Sequence, residues 1–255
     1  MAKDINQAVR EVCLWLPEAE EFISHGFPNF RVRGKTFAMY VINHHGDGRV
    51  ALWLSSPAGA QALYASKGAK QFFVPPYVGP RGWLGVHLDK GLSWQRIAAL
   101  VRAAYEKVAP KPLAAKIGDT IVIKPPTRSL TAEQIDPMQS KRAQKVLKSV
   151  RKIFSAWPEV AEGAQFGTPV WRAGKKSFAS AYHDKGRLQL AFWVGVDRQA
   201  MFTLDERYRI PAYLGHNGWI ALDVAEICNP DEVRELALGS YRHFATRRML
   251  SALEA

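Results

Sequence analysis

The sequence contains the same pattern of residues twice, and this internal repeat constrains the fold more than any other feature. The first matches share an offset of 141: Pro17-Glu18 with Pro158-Glu159, Gly26-Phe27-Pro28 with Gly167-Thr168-Pro169, and Lys35-Thr36-Phe37-Ala38 with Lys176-Ser177-Phe178-Ala179. Further along the offset falls to 136, and the matches are Pro75-Pro76-Tyr77-Val78-Gly79 with Pro211-Ala212-Tyr213-Leu214-Gly215, and Gly82-Trp83 with Gly218-Trp219. Chance does not plausibly produce so many matches in one order, so we expect two related domains.

We place these domains at residues 1–113 and 136–255, with a linker at residues 114–135 between them. The linker contains Pro125-Pro126, and consecutive prolines stiffen an extended chain and block a helix. It also contains the apolar run Thr120-Ile121-Val122-Ile123, which could add an edge strand to either domain.

Within each copy the pattern indicates a helix, three strands, a second helix, two strands and a last helix. Asp4 and Asp136 are candidate helix N-caps, since each is followed three residues later by the glutamine of a capping box. Consecutive strands with short glycine turns favour an antiparallel meander. The sequence therefore predicts an α+β protein of two tandem domains, each α-β3-α-β2-α with a mostly antiparallel sheet packed by helices.

The composition excludes several classes of protein. A chain of 255 residues with 47% hydrophobic residues can bury a core, which argues against intrinsic disorder. No segment approaches the roughly 18 apolar residues of a membrane span, and the N-terminus lacks the apolar run of a signal peptide. Two cysteines do not make a disulfide framework. We therefore expect a cytoplasmic protein that does not bind a membrane.

The chain carries 35 Lys and Arg residues against 23 Asp and Glu residues, a formal net charge of +12. Both halves are basic, because residues 1–113 hold 14 basic and 8 acidic side chains and residues 136–255 hold 18 and 13. This excess admits a polyanionic partner such as nucleic acid. Solubility alone would also explain it.

A basic helix face is the first candidate for a binding surface. Helical spacing places four lysines on one face of the helix that opens the second copy: Lys141, Lys145, Lys148 and Lys152. Like charges at this spacing repel each other, and a phosphate backbone would relieve the repulsion and release counterions. The alternative is an ordinary solvated helix face.

The basic hairpin tips are the second candidate. Each copy places cations around a glycine turn, and these are Arg31, Arg33 and Lys35 in the first copy and Arg172, Lys175 and Lys176 in the second. A basic hairpin can act as a wing that grips phosphates or enters a groove. The alternative is an exposed hairpin whose tip is basic for solubility.

The Gly-Trp turn is the third candidate. Tyr77 and Trp83 recur as Tyr213 and Trp219, and Arg81 lies beside the first pair. Aromatic side chains next to a cation could stack on exposed bases. Packing of the Trp and Tyr side chains in the core is the favoured interpretation.

No residue pattern points to catalysis, a metal or a cofactor. The acids that recur, Glu18 with Glu159 and Glu21 with Glu162, are interpreted as turn or cap residues. Cys13 and Cys228 each occupy an apolar position of the repeat and are expected to be buried thiols. No nucleophile, phosphate-loop or paired-cysteine motif occurs, so we do not expect an enzyme.

The repeated motifs resemble those of the MmcQ/YjbR family of small bacterial proteins. The resemblance rests on Pro-x-x-x-Glu, Gly-x-Pro, Lys-x-Phe-Ala and Gly-Trp, which in the first copy are Pro17, Glu21, Gly26, Pro28, Lys35, Phe37, Ala38, Gly82 and Trp83. It covers residues 8–110 closely and residues 145–250 with more divergence. The resemblance implies the α-β3-α-β2-α fold and a role in DNA binding through a double wing of hairpins.

Together these features predict a non-enzymatic protein that binds DNA through its basic hairpins and basic helix. A protein-interaction module is the alternative, because an open sheet edge can accept a peptide strand. A small-ligand protein or an enzyme is the least favoured class. The sequence leaves the oligomeric state open.

Overall fold

The computed structural model describes residues 3–65 and 70–255. The chain divides into two compact units, residues 1–135 and residues 136–255. Each unit is built around one six-stranded sheet in which every neighbouring pair of strands is antiparallel. The α+β class and the tandem arrangement expected from the repeat are therefore confirmed.

The first unit has the strand order β1-β2-β3-β4-β6-β5. Two long helices, α1 and α3, supply the apolar side chains that cover one face of this sheet. Its elements in chain order are α1 (Ile5–Leu14), β1 (Glu20–Ser24), β2 (Phe27–Val32), β3 (Lys35–Ile42), β4 (Val50–Leu54), α2 (Ala60–Ala65), β5 (Phe72–Phe73), β6 (Leu84–His87), α3 (Trp94–Val108), α4 (Lys111–Ala114) and α5 (Ala132–Ile135).

The second unit has the corresponding order, β7-β8-β9-β10-β12-β11. Helices α6 and α8 cover one face of its sheet. Its elements are α6 (Lys141–Phe154), β7 (Val160–Gln165), β8 (Thr168–Ala173), β9 (Lys176–Asp184), β10 (Arg187–Trp193), α7 (Val196–Phe202), β11 (Tyr208–Arg209), β12 (Trp219–Asp223), α8 (Pro230–Phe244) and α9 (Arg247–Glu254).

Each unit contains one strand more than the sequence predicted, because β1 and β7 form the edge of the sheet. All five residues of β1 pair with β2, and all six of β7 pair with β8. These strands bury little on either face, so their sequences lack the alternation of apolar and polar residues that identifies a strand. Their acidic residues instead suggested a turn.

The segment expected to be a linker packs on the first unit. Ile117, Ile123 and Leu130 are buried in the same apolar cluster as α1 and α3. The run 120–123 forms no strand, and the only ladder contact in this segment of the described chain is a single bridge between Arg128 and Asp4. The segment therefore joins the first unit through its buried apolar side chains, not through sheet hydrogen bonds.

A buried glutamine fixes the loop before the last long strand in each unit. Gln199 Nε2 donates to the carbonyls of Gly215 and Trp219, both at 2.7 Å. Gln61 Nε2 donates to the equivalent carbonyls of the first unit, those of Gly79 and Trp83, at 2.8 and 2.6 Å. One side-chain amide thus ties the carbonyl at the start of the 3-10 turn, which also accepts from the backbone amide of Gly82 or Gly218, to the carbonyl of the tryptophan that follows the turn.

We expect the substitution Gln199→Ala to lower the free energy of unfolding of the second unit by about 1–3 kcal/mol, because it removes a buried side-chain hydrogen bond from each of two backbone carbonyls. Denaturant unfolding of the full chain measures this effect. The matched control is Gln165→Ala, since Gln165 is exposed on β7 and its truncation should cost less than about 0.5 kcal/mol. Equal effects of the two substitutions would contradict the assignment.

An ion pair between the first helix and the edge strand is also present in both units. Arg10 binds Glu21 through Nε and Nη2 at 2.8 and 2.9 Å, and Arg151 binds Glu162 in the same two-pronged way. The Arg151 guanidinium lowers the pKa of the Glu162 carboxyl below its ordinary value of 4.5. Glu21 and Glu162 thus join a helix to an edge strand and do not cap a turn, whereas Glu18 and Glu159 lie in the turn before the edge strand, as expected.

We expect this pair to make stability depend on pH, by roughly 0.2–1 kcal/mol because both side chains are partly exposed. A carboxyl whose pKa is lowered by folding stabilises the fold above its unfolded-state pKa, and this stabilisation is lost as the pH falls through the folded-state pKa. The difference in unfolding free energy between the wild type and Glu162→Gln should therefore be constant from about pH 6 to 8 and disappear in acid, as the Glu162 carboxyl is protonated at a pH below its ordinary pKa of 4.5. Glu235→Gln is the control, because Glu235 is exposed and forms no ion pair within the described chain. A difference that persists at low pH would argue against the ion pair as its source.

No helix in the described ranges is both long enough and apolar enough to cross a bilayer.

Candidate nucleic-acid interface

Helix α6 presents a face of lysines to the solvent. The apolar residues on its other side are buried against the sheet, including Val146, Leu147 and Val150. Ser140 caps the helix by accepting a hydrogen bond from the Ala143 amide, whereas Asp136, the predicted cap, caps the preceding 3-10 turn. Because the buried side fixes the helix rotation, the polar side must face outward.

The four lysines predicted to lie on this face are all exposed: Lys141, Lys145, Lys148 and Lys152. Within the described chain none of them forms an ion pair, and α6 itself contains no acid. The two arginines of the helix are occupied, because Arg142 donates to the Val224 carbonyl and Arg151 binds Glu162. The lysines therefore carry the positive charge of α6 that is not already engaged with another described group.

Helix α1 presents no such face, although it occupies the equivalent position. Arg10 binds Glu21, and Lys3, just before the helix, pairs with Glu11. The two helices have the same role in the fold, but α1 contains one basic and one acidic residue whereas α6 contains six basic residues and no acid. The lysine face therefore belongs to the second unit only.

The first basic hairpin joins β2 to β3 and is neutralised by acids from β1 and the turn before it. Arg33 and Gly34 have φ of 47° and 75°, the pattern of a two-residue hairpin turn with both residues left-handed. Arg31 pairs with Glu20 at 3.0 Å and Arg33 pairs with Glu18 at 2.6 Å.

Lys35 is exposed and forms no ion pair with any described residue. Arg31 also lies 4.9 Å from the centre of the Phe22 ring, so its guanidinium rests on the edge strand. One of the three predicted cations of this tip is therefore free.

The second basic hairpin joins β8 to β9 and keeps its charge. Gly174, with φ of 61°, opens the turn, and Lys175 and Lys176 are exposed. Arg172 lies across β7 so closely that a side chain at Gly163 would collide with its guanidinium. None of these three cations forms an ion pair within residues 3–65 and 70–255.

The difference between the hairpins has a simple cause in the edge strand. The residue of β7 opposite Arg172 is Ala161, whereas β1 places Glu20 opposite Arg31. Glu159, which corresponds to Glu18, is taken by Arg248 at 2.7 Å. The second hairpin has thus lost both of the acids that neutralise the first.

Helix α9 adds a cation that the sequence analysis did not identify. Thr246 caps this helix, and the sulfur of Met249 lies 3.9 Å from the position that a Cβ on Gly174 would occupy. The helix therefore packs beside the hairpin turn and places exposed Arg247 there. Its buried Met249 and partly buried Leu250 and Leu253 at helical spacing were the available signal.

The last turn of α6 and the second hairpin lie at the same end of the sheet. Phe154, the last residue of α6, contacts Trp171 of β8 with ring centres 5.3 Å apart. A short connection then leads to Val160, which pairs with Ala173 at the base of the hairpin. Lys152 is therefore near the hairpin end of the second unit, and Lys141 is about 16 Å away along the helix.

Arg81 is placed elsewhere, in the first unit. It ends the 3-10 turn Gly79–Arg81 and is exposed. It lines a cavity of about 360 Å³ together with Ser56 and Lys107. No acidic side chain lines this cavity among the described residues, so Arg81 contributes to a separate, smaller cationic surface.

The two aromatic residues at each Gly-Trp turn differ in exposure, because the tryptophan is buried and the tyrosine is exposed. Trp83 and Trp219 are 8% and 6% exposed, as expected for core residues. Tyr77 and Tyr213 are 67% and 82% exposed, so the favoured prediction of core packing is wrong for the tyrosines. The backbone of their loop turns the two rings outward.

The remaining candidate groups are occupied or protonated. No three His, Cys, Asp or Glu side chains of the described residues are arranged to hold a metal ion. Burial raises the pKa of the Cys13 thiol well above its ordinary value and also raises that of Cys228. Both sulfurs are therefore thiols near neutral pH, which makes them weak nucleophiles.

Comparison with known proteins assigns the fold to a family. The family model described as YjbR matches residues 14–107 and residues 155–243. No curated protein matches the sequence. A crystal structure of Deinococcus radiodurans protein DR2400, described with the family-model domain DUF419, shares 18% identity and a TM-score of 0.36, and the match covers 42% of this chain and 87% of that one. Because the family model matches most of the chain, once in each unit, the chain belongs to the YjbR family and carries two tandem copies of its domain.

Proposed function

We propose that this protein binds DNA through its phosphate backbone and that the second unit supplies the main contact surface. The observation that carries the proposal is the lysine face of α6, where Lys141, Lys145, Lys148 and Lys152 are exposed and no described acid pairs with them. The unpaired second hairpin and Arg247 lie toward one end of this face. In the first unit Glu20 and Glu18 pair with the hairpin cations, whereas in the second unit Ala161 stands in the place of Glu20 and Glu159 pairs with Arg248.

The lysine charges destabilise the free helix, because they repel each other when no partner is present. Lysines at i and i+4 on a helix repel each other, and α6 contains no acid that could offset the repulsion. A DNA duplex carries about one negative charge per 1.7 Å of its axis and a condensed layer of counterions. Bound lysines displace those counterions, so the affinity gains from their release and weakens as salt is added.

The proposed binding reads little sequence. Lysine contacts a phosphate as a point charge, and contacts to phosphates position a protein without identifying bases. The cations of the second hairpin are equally suited to phosphates. We therefore propose a binding protein, not an enzyme, since its recurring glutamates are held in ion pairs and its cysteines are protonated.

We expect the double substitution Lys145→Glu and Lys148→Glu to weaken binding to a labelled DNA duplex at least tenfold at about 100 mM salt, because two phosphate contacts become repulsive. The slope of log affinity against log salt should decrease by about 2. Fluorescence titrations at several salt concentrations measure both quantities.

The matched control is Lys116→Glu with Lys124→Glu, which makes the same change in net charge at exposed lysines of the first unit that form no described ion pair. This control should weaken binding far less. Equal losses in the two variants would mean that net charge and not the α6 face drives binding, and no binding by the wild type at low salt would reject the proposal.

The open edge of the second sheet favours a protein-interaction role as the second candidate. Strand β7 lies at the edge of the sheet, where it pairs with β8. It contains no proline, and five of its six residues have no bulky apolar side chain. Such an edge can accept a peptide as an additional strand. A purified partner that still binds after nuclease digestion, and that is lost on Ala164→Lys because lysine opposes edge pairing, would support this role.

A further inference from the structure

Tyr77 and Tyr213 each occupy the centre of a classic γ-turn. The Val78 amide donates to the Pro76 carbonyl at 2.7 Å, across a single residue, and Tyr77 has φ of 62°. In the second unit the Leu214 amide donates to the Ala212 carbonyl at 2.9 Å, and Tyr213 has φ of 66°. This turn is rare and strained, and positive φ is unusual for a bulky side chain.

The positive φ of the two tyrosines is unusual because they do not lie in a hairpin turn, where this conformation is common. Other left-handed residues of this chain, such as Arg33 and Lys185, lie in tight turns between paired strands, where positive φ matches the twist of the strands. The two tyrosines lie instead in the long loop before the last strand of the sheet. A strained backbone at a place where no hairpin turn requires it is a reason to look for a function.

The loop that carries each tyrosine is held in place by buried contacts. Gln61 and Gln199 donate to the carbonyls of Gly79 and Gly215, two residues after the tyrosines. A Cβ at Gly79 would lie 2.6 Å from the Val74 side chain, so only glycine fits this close approach. Each tyrosine is thus presented by a fixed loop, which keeps the entropy cost of ordering it on binding low.

Both rings are largely exposed, 67% for Tyr77 and 82% for Tyr213. The rings nearest to Tyr77 are His44 and His45, which meet it at interplanar angles of 84° and 75° and therefore do not stack on it. The Tyr77 hydroxyl lies 3.1 Å from Nε2 of His45. Tyr213 is the more exposed of the two rings and forms no ring contact with the described residues.

We propose that Tyr77 and Tyr213 are stacking contacts for unpaired bases of the bound nucleic acid. The proposal rests on the proposed DNA-binding function and extends it, because it assigns a base contact to each unit beside the phosphate contacts of the second. An exposed aromatic ring on a fixed loop can stack on the flat face of a base, and such stacking is tolerant of sequence. A DNA with single-stranded character is then the preferred ligand, since the bases of a duplex are already stacked.

The test compares a labelled single strand with a duplex of the same length, titrated at several salt concentrations. The variant Tyr77→Ala with Tyr213→Ala should bind the single strand about tenfold or more weakly, while its affinity for the duplex changes little. The slope of log affinity against log salt should stay as in the wild type, because stacking releases no counterions. The variant Tyr77→Phe with Tyr213→Phe keeps both rings and should bind like the wild type.

Thermal unfolding of the same variants separates recognition from folding. Removing a bulky side chain from a strained turn should leave the melting temperature unchanged, whereas a structural tyrosine would lower it together with the affinity. Wild-type affinity of the alanine variant for the single strand would overturn the stacking proposal and leave the DNA-binding function standing. A wild type that binds neither DNA would overturn both.

Discussion

In each unit, one face of a six-stranded sheet is buried beneath two long helices, and every other feature depends on this burial. In the second unit the contact is made by aromatic rings that link helices and strands. The ring centres of Phe154 of α6 and Phe178 of β9 are 5.2 Å apart, and those of Phe178 and Tyr241 of α8 are 5.5 Å apart. Edge-to-face pairs of this kind add to the apolar area removed from water. They also fix the rotation of α6, so the side of the helix that carries the lysines must face the solvent.

The two units share this framework and differ in what they place on it. The helix-to-edge ion pair, the buried glutamine and the tyrosine hydroxyl that donates to a proline carbonyl occur in both. At the second hairpin Ala161 stands in the place of Glu20 and Glu159 pairs with Arg248, and the helix that opens the second unit carries lysines that α1 lacks. Duplication therefore preserved the groups that satisfy buried carbonyls and join elements, whereas exposed charges were free to change.

Much of the fold was predictable because it depends on residue types at regular spacing. The three main helices of each unit, the central strands and the capping box of Asp4 with Gln7 follow from local patterns and are present, whereas the short helices α4 and α5 and the C-terminal helix α9 were not predicted. The edge strands β1 and β7 were not predictable in this way, because exposed strands carry no apolar alternation. The packing of residues 114–135 on the first unit was likewise undecided, since a buried isoleucine in an irregular segment has no periodic signature.

The sequence by itself determined the repeat, the α+β class and the positions of the lysines, since each of these depends on order and spacing along the chain. Only the tertiary structure decided which charges are free, because Arg31 and Arg33 are neutralised by Glu20 and Glu18 across space while Arg172 and Lys175 are not. It also decided that the tyrosines face outward although the neighbouring tryptophans are buried. The reason is the same in both cases: an ion pair or an exposed ring depends on the backbone path of a neighbouring segment, and residue identity alone does not specify that path.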